Sequence, residues 1–461
     1  MAYTSSHGLA LAATLLAATI IYKIVTELLS PLSKIPNAGF GAAYSRLAWA
    51  FPHEHRGTVT LDLPKLHERL GPLIRIAPNE VSFYSRETYE RVHKVGNHFI
   101  GKIRGRNASV NLVVASRALE ADIMSEFSFG KPIGAIDSWA AGKEFAMVAK
   151  NDEKATWMPV LTSFPFLSEI WGQLERRVFR MTGLRTAYTK GLDDFQQWCQ
   201  ETWKDTLAIH INHDNTANSF PNLIRTLVSS GLPPETALSE ATENLGPGTD
   251  TTSATLAHIL WALAQNPGYQ NLLHHDLQDG SFSTDMTTLE NIPRLQACVK
   301  EGIRWAAAAA AMLPRIVPHG GIELHGKFIP EGTVLTSSPI WYLHDKTAFP
   351  RPELYDPFRW LTSDGRGMSQ DALRDRFYIP FSRGANICMG AHFSYLELYL
   401  SISQLIRFFH VEPKTPSAFS DQLSVGPKGA PRWNAVPLPR RREWVAAVPI
   451  DTLDVRMRPR E

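Results

Sequence analysis

The sequence predicts a mainly helical chain with small β-sheets, an α+β class. Runs with helical character recur over 142–150, 171–203, 238–265, 294–312 and from 390 to 408. Short strand-like runs, with turn residues between them, lie at 73–82 and 321–338. No Gly/Ser linker, repeat or low-complexity tract divides the 461 residues. A net charge of +2 gives no case for nucleic acid as a partner. Three cysteines, Cys199, Cys298 and Cys388, make a disulfide framework a poor reading and suit a reducing compartment. Cys199 and Cys298 sit in helical runs and read as packing residues.

The N-terminus differs in kind. Gly8 to Tyr22 is uncharged and rich in Ala, Leu and Ile, and Ile24, Val25, Leu28 and Leu29 extend it past Lys23. A membrane span needs about 20 residues at 1.5 Å rise each, so 8–29 is just long enough. A cleaved signal peptide is the rival reading, but no basic residue precedes the apolar run. Lys23, Lys34 and Arg46 all follow it, which leaves the body of the chain in the cytosol. Residues 1–30 therefore read as a membrane anchor, with Pro31 to Pro36 as a stiff exit, and 31–461 as one domain. The triplet Asn107-Ala108-Ser109 then meets no glycosylation machinery.

The most informative run is Phe381-Ser382-Arg383-Gly384-Ala385-Asn386-Ile387-Cys388-Met389-Gly390. It places one cysteine between glycines at the head of a helical run. Glycine lets the backbone approach a flat macrocycle closely. The free N–H groups and positive dipole end of the following helix point back at the sulfur and favour its anion. A lone cysteine is equally a small buried hydrophobe, so spacing alone leaves both readings open.

Two constellations lie upstream. Glu301 and Arg304 stand three apart in a helical run, where acid and base share a face. Asp356-Pro357-Phe358-Arg359-Trp360 offers a second arginine to join them. Such pairs are otherwise solvated and worth little. Gly246-Pro247-Gly248-Thr249-Asp250-Thr251-Thr252 interrupts the helical pattern of 234–265. Gly and Pro inside a helix cost roughly 1 and 3 kcal/mol. The run predicts either a local opening that sets Asp250 and Thr251 beside a ligand, or two short helices joined by a loop.

In order and type together, these segments resemble the cytochrome P450 family of haem-thiolate monooxygenases over most of the chain. Phe381, Gly384, Cys388 and Gly390 are similar to the family's F-x-x-G-x-R-x-C-x-G. Glu301 and Arg304 are similar to its E-x-x-R, with Arg359 as third member of a structural ion-pair triad. Gly248 to Thr252 resembles the oxygen-binding stretch of its central helix, and Pro314-Arg315 the segment that meets a haem propionate. Arg75 to Val81 and Gly326 to Thr333 resemble fungal family segments. The resemblance implies a P450-like helical fold and haem b as cofactor. It implies Cys388 as the iron ligand, with Phe381 covering the sulfur and Gly384, Asn386 and Arg315 also around the haem. Asp250 and Thr251 become the acid–alcohol pair of a distal proton relay. It further implies insertion of one oxygen atom into a small apolar metabolite, in fungal secondary metabolism. Electrons come from NADPH-cytochrome P450 reductase at the endoplasmic reticulum membrane, because the chain shows no flavin or nicotinamide fingerprint of its own.

Three departures stand out. Asn386 replaces an arginine or histidine, so a propionate loses a charge-assisted partner. Pro247 replaces a small residue. No tryptophan falls between Phe51 and Ser138, where the family's W-x-x-x-R helix belongs. Between 95 and 120 the resemblance leaves on the order of 50 residues missing. Lys102, Arg104 and Arg106 crowd that stretch and are candidate replacements for the lost cation. The departures predict weak haem retention. They also support an alternative, a non-catalytic P450-like scaffold. A thiolate-haem isomerase or dehydratase is a further reading, disfavoured because Asp250 and Thr251 are intact.

Overall fold

The structure, a computed structural model, describes residues 22, 25, 33, 35–45, 48–49, 52–53, 62, 65–66, 69–70, 73–77, 80–83, 86–104, 109–143, 164–183, 195–204, 222–384, 387–414, 424–425, 433–434, 436–443 and 446–460. Among these the chain is mainly helical, with small antiparallel sheets of two or three strands, as the α+β expectation has it. Five helices position the residues of interest: α1 (Arg86–Arg104), α2 (Leu112–Phe129), α3 (Pro234–Ala264), α4 (Pro293–Ala306) and α5 (Ala391–Phe408).

The described residues fall into two compact units. The smaller takes in those within Met1–Arg91, Phe127–Gly130 and Trp203–Ala241. It contains an antiparallel hairpin of β1 (Leu73–Ala77) and β2 (Glu80–Phe83), Leu73 opposite Phe83. The chain before the hairpin is stitched to β1: Arg75 N–H donates to Pro36 O and Ala38 N–H to Arg75 O, both at 2.8 Å. Ile74, Ala38, Ala42 and Trp49 form its small core.

The larger unit takes in Val92–Glu126, Lys131–Thr202 and Thr242–Glu461. Within it α4 packs against α5 and the 3-10 turn Pro357–Trp360. Gly302 is where α4 meets a side chain of α3 without room for a Cβ. A Cβ there would lie 2.1 Å from Ile259 Cγ1, so only glycine fits. The predicted helix over 294–312 stops early. Ala307 takes a left-handed φ of 40°, Ala447 N–H donates to Ala308 O at 2.8 Å, and Ala309 bridges Ala446. Pairing with the chain's far end outweighs the alanines' helix propensity.

The tail 440–461, patternless in the sequence reading, is part of this pairing. The antiparallel strands Arg441–Glu443 and Ala447–Pro449 precede β7 (Asp454–Pro459). That strand is the centre of a three-stranded sheet between β3 (Val110–Asn111) and β6 (Phe409–Pro413). Val455 and Met457 are buried while Arg456 and Arg458 are exposed, the period-two alternation of a half-buried strand. Two further strands, β4 (Arg315–Ile316) and β5 (Val334–Leu335), pair at an exposed edge.

The predicted helix over 171–203 is likewise divided. Pro165–Thr182 ends at Gly183, whose φ of 68° closes it, and a second helical stretch occupies 195–204. The run predicted at 142–150 lies outside the described residues beyond 143. The stretch 95–120 holds the end of α1, β3 and the start of α2. No helix among the described residues is long and apolar enough to cross a membrane. The predicted anchor at 8–29 lies outside the described residues except for Tyr22 and Val25.

Candidate active site

The cysteine loop is held by its own backbone. Cys388 N–H donates to Phe381 O at 2.9 Å and Ile387 N–H to Gly384 O at 3.2 Å. Ser382 and Gly384 turn the chain with φ of 64° and 83°, and no atom lies within 4 Å of where a Gly384 Cβ would point. Gly390, two residues on, is the N-cap of α5, and a Cβ there would sit 3.9 Å from Cys388 Sγ. The Phe381 ring is half-buried and packs against Tyr395, ring centres 5.5 Å apart. Tyr395 in turn shares a 2.9 Å hydrogen bond with Tyr378. Asn386 lies outside the described residues.

Cys388 is exposed as a residue, yet desolvation pushes its thiol pKa up, with the Gly390 N–H working in the other direction. His392 is exposed too, and desolvation pushes its pKa down. The sequence reading has glycine and the helix dipole lowering the thiol's pKa. In the protein alone the desolvation is larger. A coordinating metal deprotonates a thiol outright, so a metal cation would reverse this balance at the sulfur.

Behind the loop, Glu301 and Arg304 are fully buried. Arg304 Nε donates to Glu301 Oε2 at 2.8 Å and Nη2 to Oε1 at 2.7 Å. The rest of the guanidinium is spent on backbone: Nη1 reaches Leu343 O and Pro352 O, and Nη2 reaches Leu354 O. Arg359 Nε joins Glu301 Oε1 at 3.3 Å, while its Nη1 and Nη2 hold Pro350 O and Arg351 O. Two donors missed by sequence reasoning complete the carboxylate's shell. Asp356 N–H reaches Oε1 at 2.9 Å and Trp360 Nε1–H reaches Oε2 at 3.0 Å. Burial, then the Glu301 charge, push Asp356 up to about 6. This cage ties α4 to the segment 343–360, whose continuation is the cysteine loop.

On the other side, α3 runs through Gly246-Pro247-Gly248 without a break. That corrects the predicted interruption. Pro247 removes one ladder N–H, but packing holds the turn: a Cβ on Gly248 would fall 2.5 Å from Met124 Cε. Thr251 Oγ1 donates to Pro247 O at 3.0 Å, so its hydroxyl closes the turn that the sequence reading expected to open. Thr252 and Ser394 share a 3.1 Å hydroxyl contact from α3 to α5, the helix that starts just past Cys388.

Asp250 is paired. Arg117 Nη2 of α2 reaches its Oδ1 at 2.9 Å. No motif in the sequence reading flagged Arg117; a basic residue on the mostly buried α2 was the available signal. The expected cations divide. Arg315 is exposed on β4, with Nη1 on its own neighbour's carbonyl, Pro314 O. Lys102 Nζ pairs with Asp137 at 2.7 Å, and the Arg104 guanidinium lies 4.5 Å from the Phe408 ring centre. Both are committed within the helical body. Arg106 lies outside the described residues.

The donor set fits a haem iron: one exposed cysteine at the head of α5, and a glycine loop with open space where a Gly384 Cβ would point. Comparison with known proteins agrees. The family model for cytochrome P450 matches residues 65–430. Cytochrome P450 monooxygenase penB of Penicillium thymicola is 25% identical over 407 residues, covering 85% of this chain and 86% of that protein. Cytochrome P450 monooxygenase macH of Penicillium terrestre is 24% identical over 465 residues, covering 83% and 87%. Fusicoccadiene C-8 hydroxylase of Alternaria brassicicola is 24% identical over 447 residues, covering 81% and 84%. With the family match spanning most of its length, the chain belongs to the cytochrome P450 family and is a monooxygenase, an oxidoreductase whose cofactor is haem iron.

Proposed function

We propose that this monooxygenase inserts one oxygen atom from O2 into a small apolar metabolite, by hydroxylation or epoxidation, in fungal secondary-metabolite biosynthesis. The observation that carries the reading is the Cys388 loop: an exposed cysteine whose backbone N–H is fixed by Phe381 O, set at the head of α5. The fungal relatives, one of them named a hydroxylase, support the substrate class.

Cys388 would hold haem b, with Phe381 covering the sulfur and Gly384 and Asn386 close to the macrocycle. Arg315, whose charge faces solvent, would take a propionate. Haem iron bound through a thiolate supplies activation of O2, the thiolate favouring O–O cleavage. The chain's own contributions are positional. Glu301, Arg304 and Arg359 lock the segment leading to the cysteine. Phe381 keeps water from the sulfur. Thr251 holds a hydroxyl proton at Oγ1, and Asp250 Oδ1, clamped by Arg117, stores the charge that a relay needs.

Residues 1–30 would anchor the chain by one span in the endoplasmic reticulum membrane, leaving 31–461 in the cytosol to receive electrons from NADPH-cytochrome P450 reductase. The apolar run of 8–29 supports this. A missing segment within 95–120 would account for an alignment with macH that runs longer than the residues of this chain it covers. The scaffold alternative draws on Lys102 and Arg104, which are spent on Asp137 and Phe408 rather than free for a propionate.

A reduced, carbon monoxide-bound sample tests the reading. The red-shifted Soret band of thiolate ligation should appear in the wild type and vanish in Cys388→Ser. A protein that stays colourless after hemin is supplied would support the scaffold instead.

A further inference from the structure

Glu120 and Glu397 face each other in the interior of the larger unit, Glu120 on α2 and Glu397 on α5. Their residues are 0% and 1% exposed. Among the described residues no N–H or O–H of another group serves Glu120 Oε1, Glu120 Oε2 or Glu397 Oε1. As carboxylates these oxygens would be buried acceptors without donors, and two like charges would sit together. Either condition alone costs several kcal/mol.

The cations that could relieve them are engaged elsewhere. Arg117, one turn back on α2, holds Asp250. Arg104 of α1 and Arg407 of α5 flank the Phe408 ring, and Lys102 holds Asp137. The other titratable groups on these helices have their own environments. Asp122 of α2 accepts three backbone N–H groups, from Gly134, Ala135 and Ile136. Tyr395 is bonded to Tyr378. Tyr399 is buried, its pKa raised by desolvation, and half-buried Glu290 on the neighbouring helix Met286–Glu290 is also pushed up by desolvation.

We propose that Glu120 and Glu397 form a proton-loaded latch between α2 and α5: neutral acids hydrogen-bonded to one another when protonated, and mutually repelling carboxylates that part the two helices when the protons leave. Burial supports this, pushing Glu120 up to about 8 against the lowering effect of its bond to Glu397, and pushing Glu397 upward with Glu120 adding to the shift. The bond is an O–H of one carboxyl donating to an oxygen of the other, so a proton completes the otherwise donorless cluster.

The sign follows from linkage. Both folded-state values lie above the ordinary carboxyl value, so the folded chain binds more protons than the unfolded one above about pH 4.5. The stabilisation is complete below that pH and is lost as pH rises toward 8. For each extra proton held, the folding equilibrium constant should fall roughly tenfold per pH unit across that window.

Two measurements on the full chain test this. Infrared difference spectra at pH 7 in D2O, with 13C-labelled glutamate, should show the C=O stretch of a buried protonated carboxyl, absent from Glu120→Gln/Glu397→Gln. Urea titrations from about pH 6.5 to 8, above the range in which buried histidines titrate, should show the tenfold-per-unit loss in wild type and a flatter profile in the double variant. A wild type without the protonated band, or equal slopes in both proteins, overturns the latch. If the double variant does not fold, the wild-type spectrum and Glu120→Gln alone still decide it.

Discussion

The Arg304 guanidinium meets the Glu301 carboxylate edge to edge, with two N–H···O bonds of 2.8 and 2.7 Å and neither residue exposed. Every oxygen of that carboxylate has a second donor: Asp356 N–H and Arg359 Nε at Oε1, Trp360 Nε1 at Oε2. Removing one charge strands the other in a dry interior. Arg304→Leu should therefore cost about 3–5 kcal/mol of stability, read by urea unfolding. Arg359→Leu should cost less, because Arg359 makes one longer contact to Glu301 and keeps its other bonds at an exposed edge.

Gly302→Ala makes a sharper steric test. The added methyl of α4 would meet Ile259 Cγ1 of α3. Overpacking of this kind costs about 1–3 kcal/mol. The double substitution Gly302→Ala/Ile259→Ala should recover part of the loss in the same unfolding assay, since the clash is removed but buried surface is forfeited.

The E-x-x-R pair was legible because spacing and helical periodicity name the same face, and the cysteine loop because glycine, phenylalanine and cysteine each have a reason to stand there. What the sequence hid is long-range. Nothing near Ala307 to Ala311 announces that Ala446 and Ala447 will pair with the run and end α4. Arg117 and Asp250 are 133 residues apart, and no local pattern joins them. The strand 454–459 was visible in principle, since Val455, Arg456, Met457 and Arg458 alternate. Four alternating residues at a chain end are a weak signal beside the basic run before them. Pro247 misled in the opposite sense: local propensity predicts a broken helix, and tertiary packing by Met124 outweighs it.

Two desolvated histidines, His258 buried and His344 half-buried, set an acid limit to stability. His258 Nδ1–H donates to Ala254 O at 2.6 Å and His344 Nε2–H donates to Trp305 O at 3.2 Å. Burial pushes each down to about 4, with the charges of Arg304 and Arg441 adding to the shift at His344. Both fold in the neutral form, so the unfolded chain binds more protons below its ordinary histidine value. Their contribution is whole above about pH 6.5 and is lost as pH falls toward 4. Each should supply on the order of 3 kcal/mol. His344→Gln should flatten the fall in urea midpoint between pH 6.5 and 4, while the alkaline limb is unchanged.

Haem retention should be weak and should depend on Arg315. Lys102 and Arg104 have partners of their own, and position 386 offers an amide in place of a charge. Purification without added haem should leave well under one haem per chain, and Arg315→Gln should lower that occupancy further without changing the position of the carbon monoxide band. An occupancy near one in the wild type would count against the shortage of cations.

The ion pair Arg117–Asp250 separates two roles that the acid could play. If Asp250 serves only to tie α2 to α3, Arg117→Gln should lower stability by about 1–3 kcal/mol and leave oxygen use tied to product. If Asp250 also assists proton delivery, loosening its clamp should alter the ratio of product formed to NADPH consumed, and the solvent isotope effect on turnover with it. Thr251→Ala supplies the reference. It removes the hydroxyl that closes the Pro247 turn while leaving the Arg117–Asp250 bond in place, so it should uncouple oxygen use from product and keep the carbon monoxide band. We expect Arg117→Gln to uncouple as well, because a carboxylate held at 2.9 Å by a guanidinium has one orientation and a released one has several. A change in stability with no change in coupling would confine Arg117 and Asp250 to the architecture.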